Sequence, residues 1–205
     1  MVNTAIELSY DLARGKIRNG DLLLFRRKRG RLAGKLISTA GRSEYSHAAM
    51  AAWWNGRLMC LETVQGAGGR AVLLSTAVQE GPGRIDVYRA NANRRRFDRQ
   101  AAVEGMIEIT GRRYGWWSLI KAALVHLPVV RLLVRPETDD EADGSLPFCS
   151  QAVARAYRAG GVDPVPNLAD RATEPGDLAR STFFRYRFTL TPKEAKACDG
   201  SDGVE

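Results

Sequence analysis

The spacing of hydrophobic positions changes several times along the chain. Ile6, Leu8 and Leu12 lie among good helix formers in the first sixteen residues, and Asn19-Gly20 ends that segment as a turn, so an N-terminal helix is expected there. Asp21 to Arg27 (DLLLFRR) is continuously apolar at its centre and predicts a buried strand. Leu32 to Ala40 is helix-like and stops at Gly41. Ser46 to Trp54 and Arg57 to Val64 are two strand-like runs separated by Asn55-Gly56, a dipeptide that suits a type I′ hairpin turn because both positions tolerate positive φ.

Further along, QGAGGR predicts a flexible loop, and Ala71 to Ser75 and Arg84 to Arg89 predict strands on either side of Gly81-Pro82-Gly83. Arg94 to Thr110 predicts a helix with a basic first turn. A second helix starts near Trp116 and runs to Pro128, where the ring removes a backbone donor. Residues 137–145 (ETDDEADGS) form an acidic loop. Cys149 to Ala159 predicts an amphipathic helix closed by Gly160-Gly161. A short helix near Asp177 and an alternating strand from Phe184 to Leu190 follow, and the tail from Lys193 is expected to be disordered. The order of these elements points to an α+β fold with a mainly antiparallel sheet, a single domain over residues 1–192 and a tail over 193–205.

Composition narrows the class. The 205 residues suit one well-buried domain, and 44% hydrophobic with 26% charged residues excludes a globally disordered chain. Trp116 to Val134 is apolar over nineteen positions, but Lys121, His126, Pro128 and Arg131 interrupt it. A central lysine costs about 3 kcal/mol on insertion, so a buried or interface-lying helix is the expectation. The N-terminus lacks a basic segment followed by an apolar core, so no secretory signal is read and the cytoplasm is the default location; delivery by lysis or a phage particle stays open.

A net charge of +8 suits an anionic partner without choosing one. Arg26, Arg27, Lys28, Arg29 and Arg31 form one basic cluster, and Arg94, Arg95, Arg96 and Arg99 another. No nucleic-acid module accompanies them, which leaves a solvated surface or, with Trp116 and Trp117, an anionic membrane face. The three cysteines (Cys60, Cys149, Cys198) and two histidines (His47, His126) show no C-x-x-C spacing, so neither a disulfide framework, a metal site nor a cofactor is expected.

That inventory restricts thiol chemistry. A nucleophilic cysteine needs a base and a lowered pKa, and a helix N-terminus supplies positive potential together with backbone N–H groups that can serve as an oxyanion hole. Cys149 starts its helix and meets the positional demand; the alternative is a small buried hydrophobe, the usual fate of a free cysteine. For the base, a two-residue turn at Asn55-Gly56 puts Trp54 opposite Arg57, Ala49 opposite Glu62 and His47 opposite Val64. His47 then shares a face with Glu62 and Cys60 and is the diagonal neighbour of Glu62, with Cβ atoms about 7 Å apart. A bulge between them would separate the two; the alternative is a strand-end histidine and a solvated carboxylate. The small residues Ser46, Ala48, Ala49, Ala51 and Ala52 leave room for a helix beside the strand. His126, among apolar neighbours, reads as a packing or interfacial residue.

The order of these segments carries a resemblance. His47 in YSHAAM after a GDLLLF strand, Glu62 in LMCLETV, and a late Cys149 in PFCSQAVARAY resemble the circularly permuted NlpC-type papain-like cysteine hydrolases, especially the YiiX-like group, which is related to the lecithin retinol acyltransferase group. Gly20-Asp21 before the first core strand, GRRYGWW, and EPGDLARSTFF are also similar, and the resemblance spans roughly residues 18 to 190. It implies a permuted papain-like fold with the sheet packed against a helix that carries Cys149. It also implies Cys149 as nucleophile, His47 as base and Glu62 as orienting residue, acting on an amide, ester or thioester. The substrate classes are a peptide or cell-wall peptide, or an acyl lipid at a membrane surface; a binding module that kept the fold without catalysis is the non-enzymatic alternative.

Overall fold

The computed structural model describes residues 6–26, 43–64, 67–81, 83–91, 97–110, 149–166 and 168–192. In chain order these form β1 (Glu7–Ser9), α1 (Tyr10–Ala13) with a 3-10 turn at Arg14–Lys16, β2 (Leu22–Arg26), β3 (Tyr45–Trp54), β4 (Arg57–Val64), β5 (Gly68–Leu73), α2 (Leu74–Glu80) and β6 (Ile85–Ala90). Then come α3 (Arg99–Ile109), α4 (Cys149–Ala159), a 3-10 turn at Asp170–Ala172, α5 (Pro175–Arg180) and β7 (Phe184–Thr191). Seven strands make one sheet in the order β1-β7-β6-β2-β3-β4-β5. Every pairing is antiparallel except β1 with β7.

The continuous apolar run in β2 is explained by burial on both faces. Leu22 and Leu24 pack with Ala48, Met50, Ala52 and Leu61 against α3 and α4, through Val103, Met106, Ala152, Val153, Ala156 and Tyr157. Leu23 and Phe25 point the other way, with Ala49, Ala51, Leu58 and Cys60, toward Ala13 and Ile17 at the N-terminus and Leu74 and Val78 of α2. The hairpin turn has the expected backbone, with φ of 47° at Asn55 and 73° at Gly56.

Tertiary pairing overrides local propensity in three places. The expected N-terminal helix is largely replaced by β1, because β7 offers an open edge: Glu7, Leu8 and Ser9 pair with Thr189, Leu190 and Thr191, and only one helical turn follows. Ile6 and Leu12, two of the residues that suggested the helix, are exposed. The GGR segment belongs to β5 and not to a loop, since its backbone pairs with β4, while Leu74 and Ser75 open α2. The described helix expected from Arg94 begins at Arg99, where the Asp98 carboxylate accepts from the N–H groups of Gln100 and Ala101 at 2.9 and 3.1 Å and caps it.

The described helix α4, Cys149–Ala159, ends where expected, and Gly161 beyond it takes a φ of 84°. Tyr157 ties the helix to the start of β2 by donating its hydroxyl to the Gly20 carbonyl at 2.7 Å. Two arginines of the basic clusters are committed inside the fold. Arg26 pairs with buried Asp86 at 2.8 Å and with Glu44 at 2.7 Å, and Arg99 donates to the carbonyls of Asn19 and Ala90. Arg27, Lys28, Arg29, Arg31, Arg94, Arg95 and Arg96 lie outside the described residues, as do the Leu32–Ala40 helix, the Trp116–Val134 segment with His126, the acidic loop and the tail. Among the described residues no helix is long and apolar enough to cross a membrane.

Candidate active site

The β3–β4 ladder runs from Trp54↔Arg57 to Met50↔Leu61, and His47 and Glu62 lie just beyond its last pair. His47 Nε2 is 2.6 Å from Glu62 Oε2. The other carboxylate oxygen, Oε1, accepts from Arg70 Nε at 2.8 Å and from a terminal Arg70 nitrogen at 2.7 Å. The Phe25 ring meets the His47 ring edge to face from the β2 side, with centroids 5.0 Å apart.

With Nε2 engaged by Glu62, the imidazole presents Nδ1 to its remaining partner, which is the thiol of Cys149: the two side chains are hydrogen-bonded. The backbone N–H groups of Ala48 and Ser150 also favour the charged sulfur. The Ala48 contact follows from strand geometry. The N–H of Ala51 donates to the Asp21 carbonyl on the β2 side, so by alternation that of Ala48 points to the β4 side. There the ladder has already ended, and the N–H is free for the sulfur.

Helix α4 lies on the Ala48 and Ala52 face, whereas His47 alternates with Ala49 and Ala51 toward the opposite layer. The small residues thus serve two layers: Ala48 and Ala52 admit α4, and Ala49 and Ala51 face the α2 layer. Cys149 nevertheless meets His47 because it starts the helix, at the end of the ladder. The Glu62 side chain is 5% exposed and that of His47 22%.

The electrostatics favour an ion pair. Burial by itself would depress the His47 pKa, but the charge of Cys149, its hydrogen bond and the bond and charge of Glu62 reverse that and push it up to about 10. Burial likewise opposes ionisation of Cys149, and the imidazolium together with the Ala48 and Ser150 N–H groups brings its pKa below the ordinary thiol value. Glu62 is held below the usual carboxylate range against its burial, by its bonds to His47 and Arg70. The arrangement favours a thiolate beside an imidazolium.

Thus His47, Glu62 and Cys149, expected from the sequence, are brought together. Cys60 sits in the opposite layer, fully buried, with its pKa raised by desolvation, so it is an inert thiol. Cys198 and His126 lie outside the described residues. Arg70 was hidden in the presumed QGAGGR loop. The signal that would have found it is the β4–β5 register, which sets Arg70 opposite Glu62. Gly69 allows this, because a Cβ there would lie 2.0 Å from the Ile109 carbonyl oxygen.

No protein-family model matches the chain, and no curated protein matches it. The fold and its row of polar side chains define a mixed α+β chain with a seven-stranded, mostly antiparallel sheet. Among solved structures this fold is similar to the crystal structure of the metalloprotein YiiX from Escherichia coli O157:H7, with a TM-score of 0.57 and 15% identity over 85% of this chain and 98% of that one. At that identity the likeness is one of fold.

Proposed function

We propose that the chain is a cysteine-dependent acyl hydrolase of the circularly permuted, NlpC-type papain-like kind, cleaving an amide in a peptide or cell-wall peptide. The observation that carries this reading is His47, whose ring joins Glu62 on one side and Cys149 on the other. The order of histidine strand before cysteine helix and the likeness in fold to YiiX support it.

YiiX is described as a metalloprotein, so the donor set here bears on the chemistry. Among the described residues no three or more His, Cys, Asp or Glu side chains gather to hold a metal ion. Glu62 already has a guanidinium on its outer oxygen. This donor set does not fit a resident ion.

In the proposed reaction the Cys149 thiolate attacks the amide carbon, forming a C–S bond and moving the carbonyl electron pair onto oxygen. The N-terminal N–H groups of α4 face the developing negative charge. Collapse breaks the C–N bond, and the His47 imidazolium gives its Nδ1 proton to the departing amine. Neutral His47 then takes a proton from water, which attacks the thioester; the carboxylic acid leaves and thiolate and imidazolium are restored.

The test is a panel of labelled muropeptides, peptide and isopeptide amides and acyl lipids, assayed with Cys149→Ala as control. Release from an amide substrate, with a mass increase of one acyl group on Cys149, is expected. Turnover of acyl lipids alone would replace the amide substrate with an ester. An equal rate in Cys149→Ala would remove the cysteine mechanism.

A further inference from the structure

Three strands and a helix contribute one polar side chain each to a continuous row: Arg70 from β5, Glu62 from β4, His47 from β3 and Cys149 from α4. In the reaction described above Cys149 is the nucleophile and His47 moves the proton, and Arg70 takes part in no step. Arg70 ends the row; its side chain is 49% exposed and it touches Glu62 alone among the three.

We propose that Arg70 is a positioning residue: it clamps one oxygen of Glu62 so that the other stays on His47 Nε2, which determines the ring nitrogen presented to Cys149. This rests on the Cys149–His47 reading and adds to it.

Several observations converge. Glu62 and Arg70 are directly opposite on neighbouring strands, so their side chains emerge side by side on one face. Two nitrogens of one planar guanidinium converge on the single oxygen Oε1, at 2.8 and 2.7 Å, which resists rotation of the carboxylate. Close contact of Gly69 with the end of α3 holds the β5 backbone from which Arg70 projects. Without Arg70, the outer oxygen of a nearly buried carboxylate would lose its donors, and the group would gain by turning toward water and leaving the imidazole.

Two effects on His47 oppose one another, and their sizes decide the sign. The Arg70 cation repels an imidazolium, but water reaches about half of its side chain and screens that repulsion. The Glu62–His47 bond is short, mostly buried and charge-assisted, so losing its alignment matters more. Removal of Arg70 therefore lowers the His47 pKa and frees the choice of tautomer.

The experiment is nuclear magnetic resonance of ring-labelled histidine in the full chain, with His47→Gln used to assign the signal. In the native protein His47 titrates well above an ordinary histidine, and its neutral form carries the proton on Nε2. In Arg70→Gln its pKa falls by about one unit, with a mixture of tautomers, and alkylation of Cys149 by iodoacetamide at neutral pH slows in parallel. Arg70→Lys restores part of both, because an ammonium supplies donors without the planar fork. An unchanged or raised His47 pKa with an unchanged tautomer in folded Arg70→Gln overturns the proposal. If Arg70→Gln does not fold, Arg70→Lys decides by itself: a smaller fall in the same direction is expected, and native values overturn it. An ordinary His47 pKa in the native protein would instead remove the thiolate–imidazolium reading, a failure distinct from that of Arg70.

Discussion

The backbone N–H of Ala48 favours the charged sulfur of Cys149 where the β3–β4 ladder has ended, so a strand otherwise committed to its neighbours contributes to the site. This contact and the His47 ring act on the same atom from the sheet, while Ser150 acts from the helix. The Cys149 sulfur thus sits between two elements that approach each other only in the folded chain.

The first consequence is the reactivity of Cys149. Its pKa lies below the ordinary 9.0, so thiolate forms at lower pH than in a free thiol and the midpoint of alkylation by iodoacetamide should fall below 9. In His47→Ala the burial remains and its opposing charge is gone, so the thiol is protonated at pH 7 and the rate should drop about ten-fold. Mass-spectrometric rates across pH 5 to 10 check this; a native profile with a midpoint near 9 would contradict it.

The same charges make stability depend on pH. His47 is raised from 6.5 to about 10, so its contribution is fully present below 6.5 and is lost as pH rises through about 10. The lowered Glu62 pKa works at the other end, contributing above 4.5 and losing its effect as pH falls through the folded value. Urea titrations of the native protein and His47→Ala at pH 7 and 10.5 should show their stability difference narrowing at the higher pH.

Glu62→Gln keeps the shape of the side chain and removes its charge. Hydrolysis should fall by about 10²-fold in kcat/KM, since the imidazole loses the anion that orients it and stabilises its charged form. Steady-state kinetics on the best substrate of the panel would measure it, and a native rate would show that Glu62 has no part in catalysis.

Gly69→Ala should destabilise the fold by about 2 kcal/mol, because the new Cβ would lie 2.0 Å from the Ile109 carbonyl oxygen and backbone must move to admit it. Arg70 is the next residue, so Cys149 alkylation at neutral pH should slow as well. Thermal or urea unfolding read beside alkylation tests both effects.

Asp86 is fully buried, accepting from Arg26 Nε at 3.0 Å and from the hydroxyls of Tyr45 and Thr189, each at 2.6 Å. Asp86→Ala would leave Arg26 and two hydroxyls without that acceptor, at a cost of about 3–5 kcal/mol. Tyr45 begins β3 two residues before His47, so the loss should also broaden the His47 signals in the resonance experiment.

Much of the site was legible because short-range rules applied to it. Asn55-Gly56 can form its turn only with positive φ, and that turn sets the register that brings His47 near Glu62. The end of α4 was legible from its amphipathic run and the paired glycines after it. Arg70 was not, because a glycine-rich segment reads as a loop until its backbone is seen to pair with β4. The N-terminal strand was not either, because its stabilisation comes from the β7 edge, more than 180 residues away in sequence.

By itself, then, the sequence determined the local periods, the hairpin register and the end of the cysteine helix, all of which depend on neighbours a few residues apart. Only the tertiary structure decided that the helix reaches past the ladder to His47 from the opposite layer, that Arg70 closes the row on Glu62, and that Arg26 and Arg99 are held within the fold. Those relations join residues from separate elements, and their geometry is set by how the layers stack, which no local pattern of apolar and polar positions encodes.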